Sequence, residues 1–458
     1  MKESKPDKEA GADRLTLIFL ALGLYSLFAV ILSFFWPGSN LGLIFLLVAL
    51  AVSVYSLFDL KNGFFALLVL RIIFDSLGTQ ELINIAGISI DFTFVLGMML
   101  IGLALLAVIL KWPKLKKLPL LWPWLLFLGL LAILSFFSFS KSASAVDFFR
   151  LLSFLSAFAF GYLIYDTPKK LTLLIKAVIF SAIIPTSVAW YQLITRGGFF
   201  DGDRWRLMGT FVHPNMLAFY LVLVICLSLF VSLNLKKGVI EKVPYALLAI
   251  FFVVALLFTY TRAAWLALAL ILFGIGVYRF RKLLFISILA AAILYLFAPF
   301  FQDRISTLAT LGASDSSTWR LDLWRDIWGF IKANPWFGYG PGTASIFIQN
   351  NIPRFLVETE PHNDYLRVWL ESGIFALLTF LWIFIDYLKH MWQGFCRETR
   401  PRLKMLILFL LFFTISLLAA SATDNILKDA VLQWVFWSLS GSLFMIVSVH
   451  KIKKEPLK

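Results

Sequence analysis

Long apolar runs fill most of the chain, and short polar connections separate them. The runs are continuous rather than alternating, which is typical of membrane-spanning helices and not of barrel strands. About 20 apolar residues are needed to cross the hydrocarbon of a bilayer. The pattern therefore predicts an all-α polytopic membrane protein with about 12–14 transmembrane helices. Fourteen candidate runs are Leu15–Trp36, Leu41–Phe58, Gly63–Leu77, Phe92–Leu110, Leu118–Ser138, Val146–Tyr165, Leu171–Ile194, Phe211–Leu235, Val243–Tyr260, Ala263–Tyr278, Leu283–Phe301, Leu366–Leu388, Met405–Ser421 and Ala430–Val449.

The composition agrees with this interpretation. Of the 458 residues, 61% are hydrophobic and only 15% are charged, whereas soluble proteins have about 45–50% and about 25%. Two cysteines provide neither a disulfide framework nor a metal-binding pattern. The chain therefore cannot bury its apolar surface in an ordinary water-soluble core.

The basic residues are concentrated in alternate connections. Both termini and every second loop together hold 26 of the 41 Lys and Arg residues, and such loops face the cytoplasm. The net charge of +15 thus indicates the orientation of the chain in the membrane and does not indicate nucleic-acid binding. We expect a cytoplasmic tail at 1–14, helices 1–11 over 15–301, one long periplasmic loop over 302–365, helices 12–14 over 366–449 and a cytoplasmic tail at 450–458.

The long loop carries a helical pattern of its own. Between Trp319 and Ile331 the apolar residues recur on one face of a helix. We expect this helix either to lie at the membrane surface or to pack on the bundle. A Gly- and Pro-rich segment, Asn334 to Gly342, predicts a tight turn after it. The predicted apolar face consists of Leu321, Trp324, Ile327, Trp328 and Ile331.

Candidate chemistry is concentrated on the predicted periplasmic side. His213 and His362 each precede an apolar run there, and Arg204, Arg206 and Arg262 fall on the same side. An Arg at a membrane boundary is costly unless it has a partner or ligand, although a snorkelling role is the alternative. Three guanidinium groups together suggest a site for an anionic diphosphate.

Other patterns carry less information. Asp201-Gly-Asp203 has the spacing of a metal-binding D-x-D motif, but we interpret it as a turn. The alternative role of Arg204 and Arg206 is local pairing with these two Asp residues in a solvated turn. No metal, nucleotide or serine-hydrolase motif is present in the sequence, so we expect neither a metal nor a cofactor.

Charges inside the predicted spans are scattered along the sequence and do not trace a proton relay. We expect Arg367 to pair with Glu371 and Arg150 to pair with Asp147, because these spacings place each pair on one helix face. Arg71, which interrupts its run together with Asp75, and Lys176 are further charges that need an explanation. A transporter interpretation therefore has little support.

Four stretches resemble the O-antigen ligase and O-antigen polymerase superfamily of bacterial membrane glycosyltransferases. The first stretch is RLMGTFVHPNMLA from Arg206, and the second is TRAAWLAL from Thr261. The third runs from Arg320 to Gly342 and ends in NPWFGYGPG, and the fourth is PHNDYLRVWLESG from Pro361. Each motif is weak by itself, but the four occur in the order of the family, with its long outer loop between the last two. The seven N-terminal runs resemble only a generic bundle.

The resemblance implies a GT-C-like fold that acts on a glycan carried by undecaprenyl diphosphate. It implies metal-independent, inverting transfer to an acceptor hydroxyl on lipid A–core or on a second lipid-linked glycan, at the periplasmic face of the inner membrane. His362 would be the catalytic histidine and Arg262 an essential arginine, with Arg204 or Arg206 near the diphosphate. His213, Asn215, Arg320, Asn363 and Tyr365 would be supporting residues. The alternative hypothesis is a lipid-linked glycan flippase or solute transporter.

Overall fold

The computed structural model describes residues 51–52, 54–76, 81–85, 88–201, 204–234, 238–298, 302, 315–352 and 359–454. The predicted run Leu15–Trp36, most of Leu41–Phe58, the Gly-Asp part of the 201–203 turn and parts of the long loop lie outside these residues. The helices are α1 Leu60–Ile73, α2 Phe92–Leu110, α3 Trp112–Leu115, α4 Leu121–Phe137, α5 Lys141–Ile164, α6 Pro168–Ser181, α7 Ile183–Thr195, α8 Pro214–Asn234, α9 Val239–Leu257, α10 Arg262–Tyr278, α11 Arg281–Phe297, α12 Asp315–Ala333, α13 Ala344–Asn351, α14 Asp364–Arg397, α15 Pro401–Ala420 and α16 Ala430–Lys454.

Strands are few and short in the part of the chain that the structure describes. An antiparallel pair joins β1, Glu81–Ile85, to β2, Ile88–Asp91, and another joins β3, Phe199–Phe200, to β4, Trp205–Arg206. A short 3-10 helix, Ile426–Lys428, lies between α15 and α16. Each predicted run from Gly63–Leu77 onwards has a helix, and the run Leu171–Ile194 consists of two, α6 and α7.

The protein is an all-α polytopic membrane protein, as the sequence predicts. Among the described residues, eight helical segments are long and apolar enough to cross a membrane, and α4 and α10 are shorter apolar helices. Continuous apolar helices are required because the bilayer offers no partners to unpaired backbone groups.

Close packing of α5 against α16 forms the centre of the bundle. Gly161 on α5 lies against the backbone of Ser438, and Gly441 on α16 lies against the backbone of Phe158. Small residues at these two positions let the helix backbones approach closely. The Trp434 ring on α16 also donates from Nε1 to Ser153 Oγ on α5 at 2.7 Å.

Several charged residues inside the bundle are paired. Arg367 Nη1 donates to Glu371 Oε2 at 3.1 Å, and the same guanidinium donates to Asp364 Oδ1 at 3.0 Å. Arg150 pairs with Asp147 on α5. These pairs confirm the i, i+3 and i, i+4 partners expected from the sequence, and pairing lowers the cost of burial.

The loop helix α12 packs on the bundle against α14, and its buried face differs from the predicted one. Leu323, Ile327 and Ile331 are fully or almost fully buried, whereas Leu321 and Trp328 are exposed. Of the predicted apolar face, Ile327 and Ile331 therefore pack inside the protein, and Leu321 and Trp328 do not. The reason is that α13 and the start of α14 cover the row of Leu323, Ile327 and Ile331. The periodicity of the sequence alone does not tell which of two adjacent helix faces is covered.

Candidate functional site

His362 lies immediately before α14, at one end of the bundle, which we call the His362 end. Its φ of 48° places a non-glycine residue in the left-handed region, which is uncommon and is often found at functional sites. The segment is held on both sides. Trp324 Nε1 of α12 donates to the carbonyl of Pro361 at 2.7 Å, and the backbone N–H of Asp364 donates to Ser421 O at 2.9 Å.

An acidic residue from a distant part of the chain meets the His362 ring. His362 Nδ1 lies 3.3 Å from Asp424 Oδ1, and the ring packs edge-on against Trp319 with centroids 5.4 Å apart. Asp424 belongs to the connection between α15 and α16, 62 positions from His362. The sequence analysis missed Asp424, and its only signal is a polar Thr-Asp-Asn stretch between the last two apolar runs.

Electrostatics keep Asp424 in its charged form. Burial raises the pKa of this carboxyl group, but the hydrogen bond from His362 and the charges of His362, Arg320 and His213 outweigh burial and bring the pKa below its ordinary value. Asp424 therefore remains an anion near neutral pH. An anionic partner at Nδ1 orients the imidazole and favours a proton on that nitrogen.

Asp424 also connects the histidine to the predicted arginine cluster. Asn215 Nδ2 donates to Asp424 Oδ2, and Arg206 Nη2 donates to Asn215 Oδ1 at 2.7 Å. Arg206 further donates from Nη2 to Thr261 Oγ1 at 3.1 Å and from Nε to Thr259 O at 2.9 Å. Arg206 thus joins the segment before α8 to the segment before α10.

The other two candidate arginines lie along the same segment. The Arg204 guanidinium carbon is 5.3 Å from the centroid of the Tyr260 ring, and Tyr260 itself has a left-handed φ of 53°. Arg262 is the first residue of α10, directly after Thr261, and is partly buried. The structure therefore brings Arg204, Arg206 and Arg262 to one short stretch of backbone.

Two of the predicted supporting residues join the segment before α14 to the Asp424 connection. Asn363 caps α14 by accepting from the N–H groups of Tyr365 and Leu366, both at 3.0 Å, and donates to Ala422 O at 3.0 Å. Tyr365 donates its hydroxyl to Leu418 O at 2.6 Å.

Two further predicted supporting residues, His213 and Arg320, lie around Asp424. His213 accepts the N–H of Asn215 at Nδ1, at 3.1 Å. Arg320 on α12 contributes positive charge near Asp424, and within the described residues its Nε has no hydrogen-bond partner.

A second polar group braces the Asp424 connection and was also missed. Glu360 accepts from Lys428 Nζ at 2.7 Å, from Asn425 Nδ2 at 2.8 Å and from Ser345 Oγ at 2.7 Å. Asn425 in turn accepts the backbone N–H of Asn363 at 3.0 Å. Because its members come from the long loop, α13 and the last connection, no local pattern reveals this group.

Fold and site together define a polytopic α-helical membrane protein with a partly buried His–Asp pair and an arginine-rich segment at one end of its bundle. Comparison with known proteins agrees with the resemblance seen in the motifs. Residues 247–381 match the model of the O-antigen ligase family, a stretch that includes Arg262, Arg320, His362, Asn363 and Tyr365.

A putative polysaccharide ligase of Rickettsia felis is similar to this chain, with 23% identity over 187 residues. The alignment covers 39% of this chain and 43% of that relative, so the chain matches less than half of its length. The family match and this relative show similarity to polysaccharide ligases over part of the chain.

Proposed function

We propose that this protein transfers a glycan from an undecaprenyl-diphosphate carrier to an acceptor hydroxyl at the periplasmic face of the bacterial inner membrane. The observation that carries the proposal is the hydrogen-bonded line from His362 through Asp424 and Asn215 to Arg206. This line connects a group suited to proton transfer with a group suited to diphosphate recognition. The family match supports glycan transfer as the reaction class.

His362 acts as the general base in this proposal. With Nδ1 facing the Asp424 carboxylate, a neutral imidazole carries its basic lone pair on Nε2. Nε2 accepts the proton of the acceptor hydroxyl while the hydroxyl oxygen attacks the anomeric carbon. General-base catalysis of this kind contributes about 10²–10⁴-fold to a rate.

The arginines stabilise the leaving group. The bond from the anomeric carbon to the diphosphate breaks, its electron pair stays on the diphosphate oxygen, and configuration at the anomeric carbon inverts. Fixed guanidinium groups stabilise the charge that develops there, so the proposed step is metal-independent. Arg206 uses Nε and Nη2 on protein oxygens, and we assign it mainly a positioning role, with Arg204 and Arg262 as the diphosphate contacts.

The exposed face of α10 that follows Arg262 is suited to a lipid carrier. Four apolar side chains on the same face of α10, Leu266, Leu270, Phe273 and Val277, are exposed, and the 3.6-residue period aligns them with Arg262. The diphosphate would lie at Arg262 while the polyprenyl tail follows this row into the bilayer. The acceptor is lipid A–core for a ligase, or a second lipid-linked repeat unit for a polymerase.

Reconstitution in liposomes with a polyprenyl-diphosphate glycan and both acceptors tests the proposal. We expect wild-type protein to form product, and His362→Ala and Arg262→Ala to lower the transfer rate at least 100-fold while remaining inserted. His390→Ala is the matched control, because His390 lies at the other end of α14 and bonds Asp386 O. Product size distinguishes ligase from polymerase.

Near-normal transfer by both His362→Ala and Arg262→Ala would refute the proposed catalytic roles of these residues and the glycan-transfer function that depends on them. Failure of wild-type protein to use either acceptor, combined with movement of the lipid-linked glycan across the bilayer, would favour the flippase alternative instead.

A further inference from the structure

A cavity of about 600 Å³ lies at the opposite end of the bundle from His362, which we call the Arg279 end. It is formed at the turn between α10 and α11, and the end of α8 completes its wall. Helix α10 begins beside the candidate site at Arg262 and ends at Tyr278 in this wall, 17 residues later. At about 1.5 Å per residue, the cavity and the candidate site are therefore separated by about 25 Å of helix.

Three basic residues line this cavity, Arg279, Arg281 and Lys282, and no acidic residue among the described ones does. All three are exposed, and in the part of the chain that the structure describes none of them forms a salt bridge. Arg281 and Lys282 occupy the first turn of α11, where the helix dipole disfavours cations, so their own helix does not stabilise them. Cations without an acidic partner repel one another around a shared space, and an anion between them relieves that repulsion.

Other basic residues at the Arg279 end have acidic partners. Lys114 and Lys170 both pair with Asp166, at 3.0 Å and 2.8 Å. Asp166 follows α5, which runs parallel to α16 and away from the candidate site. Arg400, before α15, pairs with Glu398 at 2.7 Å. The protein itself thus neutralises these cations, whereas the three around the cavity are left for a ligand.

The wall next to the basic group is apolar. Val277 of α10 and Ile286 of α11 line the cavity. A row of exposed apolar side chains continues from Ile286 along the same face of α11, at Leu289, Ile293 and Leu296. No side chain of α11 is buried, so this face is available to hydrocarbon. A free phosphate ion gains nothing from such a wall, whereas acyl chains cover it favourably.

We propose that this cavity binds the phosphate headgroup of an anionic glycerophospholipid, whose acyl chains lie along the exposed row of α11. Guanidinium forks match phosphate oxygens bidentately, and the ammonium group of Lys282 adds a point charge. Basic pockets between membrane helices recognise lipid headgroups in this way. The inference does not depend on the proposed function, because the site lies at the other end of the bundle. The bound lipid holds the turn between α10 and α11, at the far end of the helix that carries Arg262.

A triple substitution tests the site against a matched control. Arg279→Gln, Arg281→Gln and Lys282→Gln together remove three positive charges from the cavity wall. A second variant, Arg279→Lys with Arg281→Lys, keeps the charge and loses the guanidinium forks. The control replaces by Gln three exposed basic residues of the same end that do not line the cavity, namely Lys116, Lys117 and Lys169.

Binding is measured by native mass spectrometry of the full-length protein in a nonionic detergent. The probes are dioleoyl phosphatidylglycerol, which is anionic, dioleoyl phosphatidylcholine, which is zwitterionic, and inorganic phosphate. We expect wild-type protein to bind phosphatidylglycerol at least about tenfold more tightly than phosphatidylcholine, and millimolar phosphate not to displace the lipid. Each basic residue near a headgroup is worth roughly fivefold in affinity, so the triple variant should bind about 100-fold more weakly. The control should bind like wild type, and the two-Lys variant should lie closer to wild type than to the triple variant.

Three results would overturn the site: equal affinities for the two lipids, an equal loss of affinity in the control, or displacement of phosphatidylglycerol by inorganic phosphate. If the triple variant has a lower thermal midpoint without lipid, Arg281→Gln alone decides, with about a fivefold loss expected and an unchanged affinity contradicting the proposal. His362→Ala should bind phosphatidylglycerol as wild type does. A protein without transferase activity that still binds the lipid would therefore refute the proposed function and leave this site standing.

Discussion

The pair of His362 and Asp424 is the smallest unit that gives this site its chemistry. The imidazole is held in a left-handed backbone position and bonded at Nδ1, while the carboxylate is bonded on its other oxygen by Asn215. Each partner is therefore oriented by a third group, as in other base-and-orienter arrangements. The functional consequence is a base whose tautomer and direction are fixed before substrate binds.

Replacing Asp424 by Asn should affect both the rate and its pH dependence. The amide no longer favours the charged imidazolium, so we expect transfer to fall about 10–100-fold and the acidic limb of the pH–rate profile to move to lower pH. Initial rates between pH 5 and pH 9 measure both effects. An unchanged limb, with the rate lowered uniformly, would contradict an electrostatic effect of Asp424 on the pKa of the base.

Glu360 makes a separate prediction about stability and pH. Burial raises the pKa of this carboxyl group, but the charge and hydrogen bond of Lys428, the hydrogen bond of Ser345 and the charge of Arg367 together lower it by more. The pKa is about 2, against an ordinary 4.5. Because the folded-state pKa is depressed, the stabilisation is present above about pH 4.5 and is lost as the pH falls toward 2. The thermal midpoint of wild type should therefore exceed that of Glu360→Gln at pH 7, and the gap should narrow below pH 4.5. A gap that stays constant from pH 7 to pH 3 would contradict this explanation.

At the scale of elements, the site depends on a break in α14. Gly373 has φ 74° and ψ 179° inside the helix, a conformation essentially restricted to glycine. The break frees the carbonyls of Leu370 and Glu371, which accept the N–H groups of Tyr339 and Gly340 at 3.0 Å and 2.7 Å. The Gly- and Pro-rich turn after α12 is thereby attached to the helix that positions His362.

Gly373→Ala should weaken this attachment. A Cβ at this position would overlap the carbonyl oxygen of Trp336, and the backbone conformation itself would cost about 1–3 kcal/mol. We expect a lower thermal midpoint and reduced transfer. Gly394→Ala on the same helix is the control, because its Cβ meets only side-chain atoms at ordinary contact distances, Val447 Cγ1 at 3.6 Å and Ile407 Cδ1 at 3.8 Å. Equal midpoints for the two variants would argue against a structural role for the break.

At the scale of the whole molecule, the α5–α16 contact holds the helix that follows the Asp424 connection. Helix α16 begins at Ala430, directly after that connection, and packs closely against α5. In a membrane, where lipid tails are as apolar as the side chains, such contacts depend on close packing rather than on the hydrophobic effect. Their geometry therefore sets the position of the site.

Gly161→Ala should separate these helices. The added Cβ would overlap the carbonyl oxygen of Ser438, and overpacking of this kind costs about 1–3 kcal/mol. We expect a lower thermal midpoint and a lower transfer rate. Gly129→Ala on α4 has no heavy atom within 4 Å of the new Cβ and should be neutral or slightly stabilising. A midpoint for Gly161→Ala that equals that of Gly129→Ala would show that the contact tolerates separation.

Much of the fold could be predicted from the sequence because its signals are local. The apolar runs from Gly63–Leu77 onwards each have a helix, and the pairs of Arg367 with Glu371 and of Arg150 with Asp147 follow from helical spacing. The candidate site was predicted only in part. His362, Arg206 and Asn215 were identified from motifs, whereas Asp424 and Glu360 lack any motif that marks them.

The sequence by itself determined the membrane class, the positions of the helices and most of the polar groups worth testing. Only the tertiary structure decided which of them meet, because Asn215 and Asp424 are 209 positions apart and their contact requires the start of α8 and the end of α15 to lie at the same level. It also buried the Leu323 row of α12 and left Leu321 exposed. Helical periodicity fixes neighbours within one turn, and only helix docking fixes neighbours between helices.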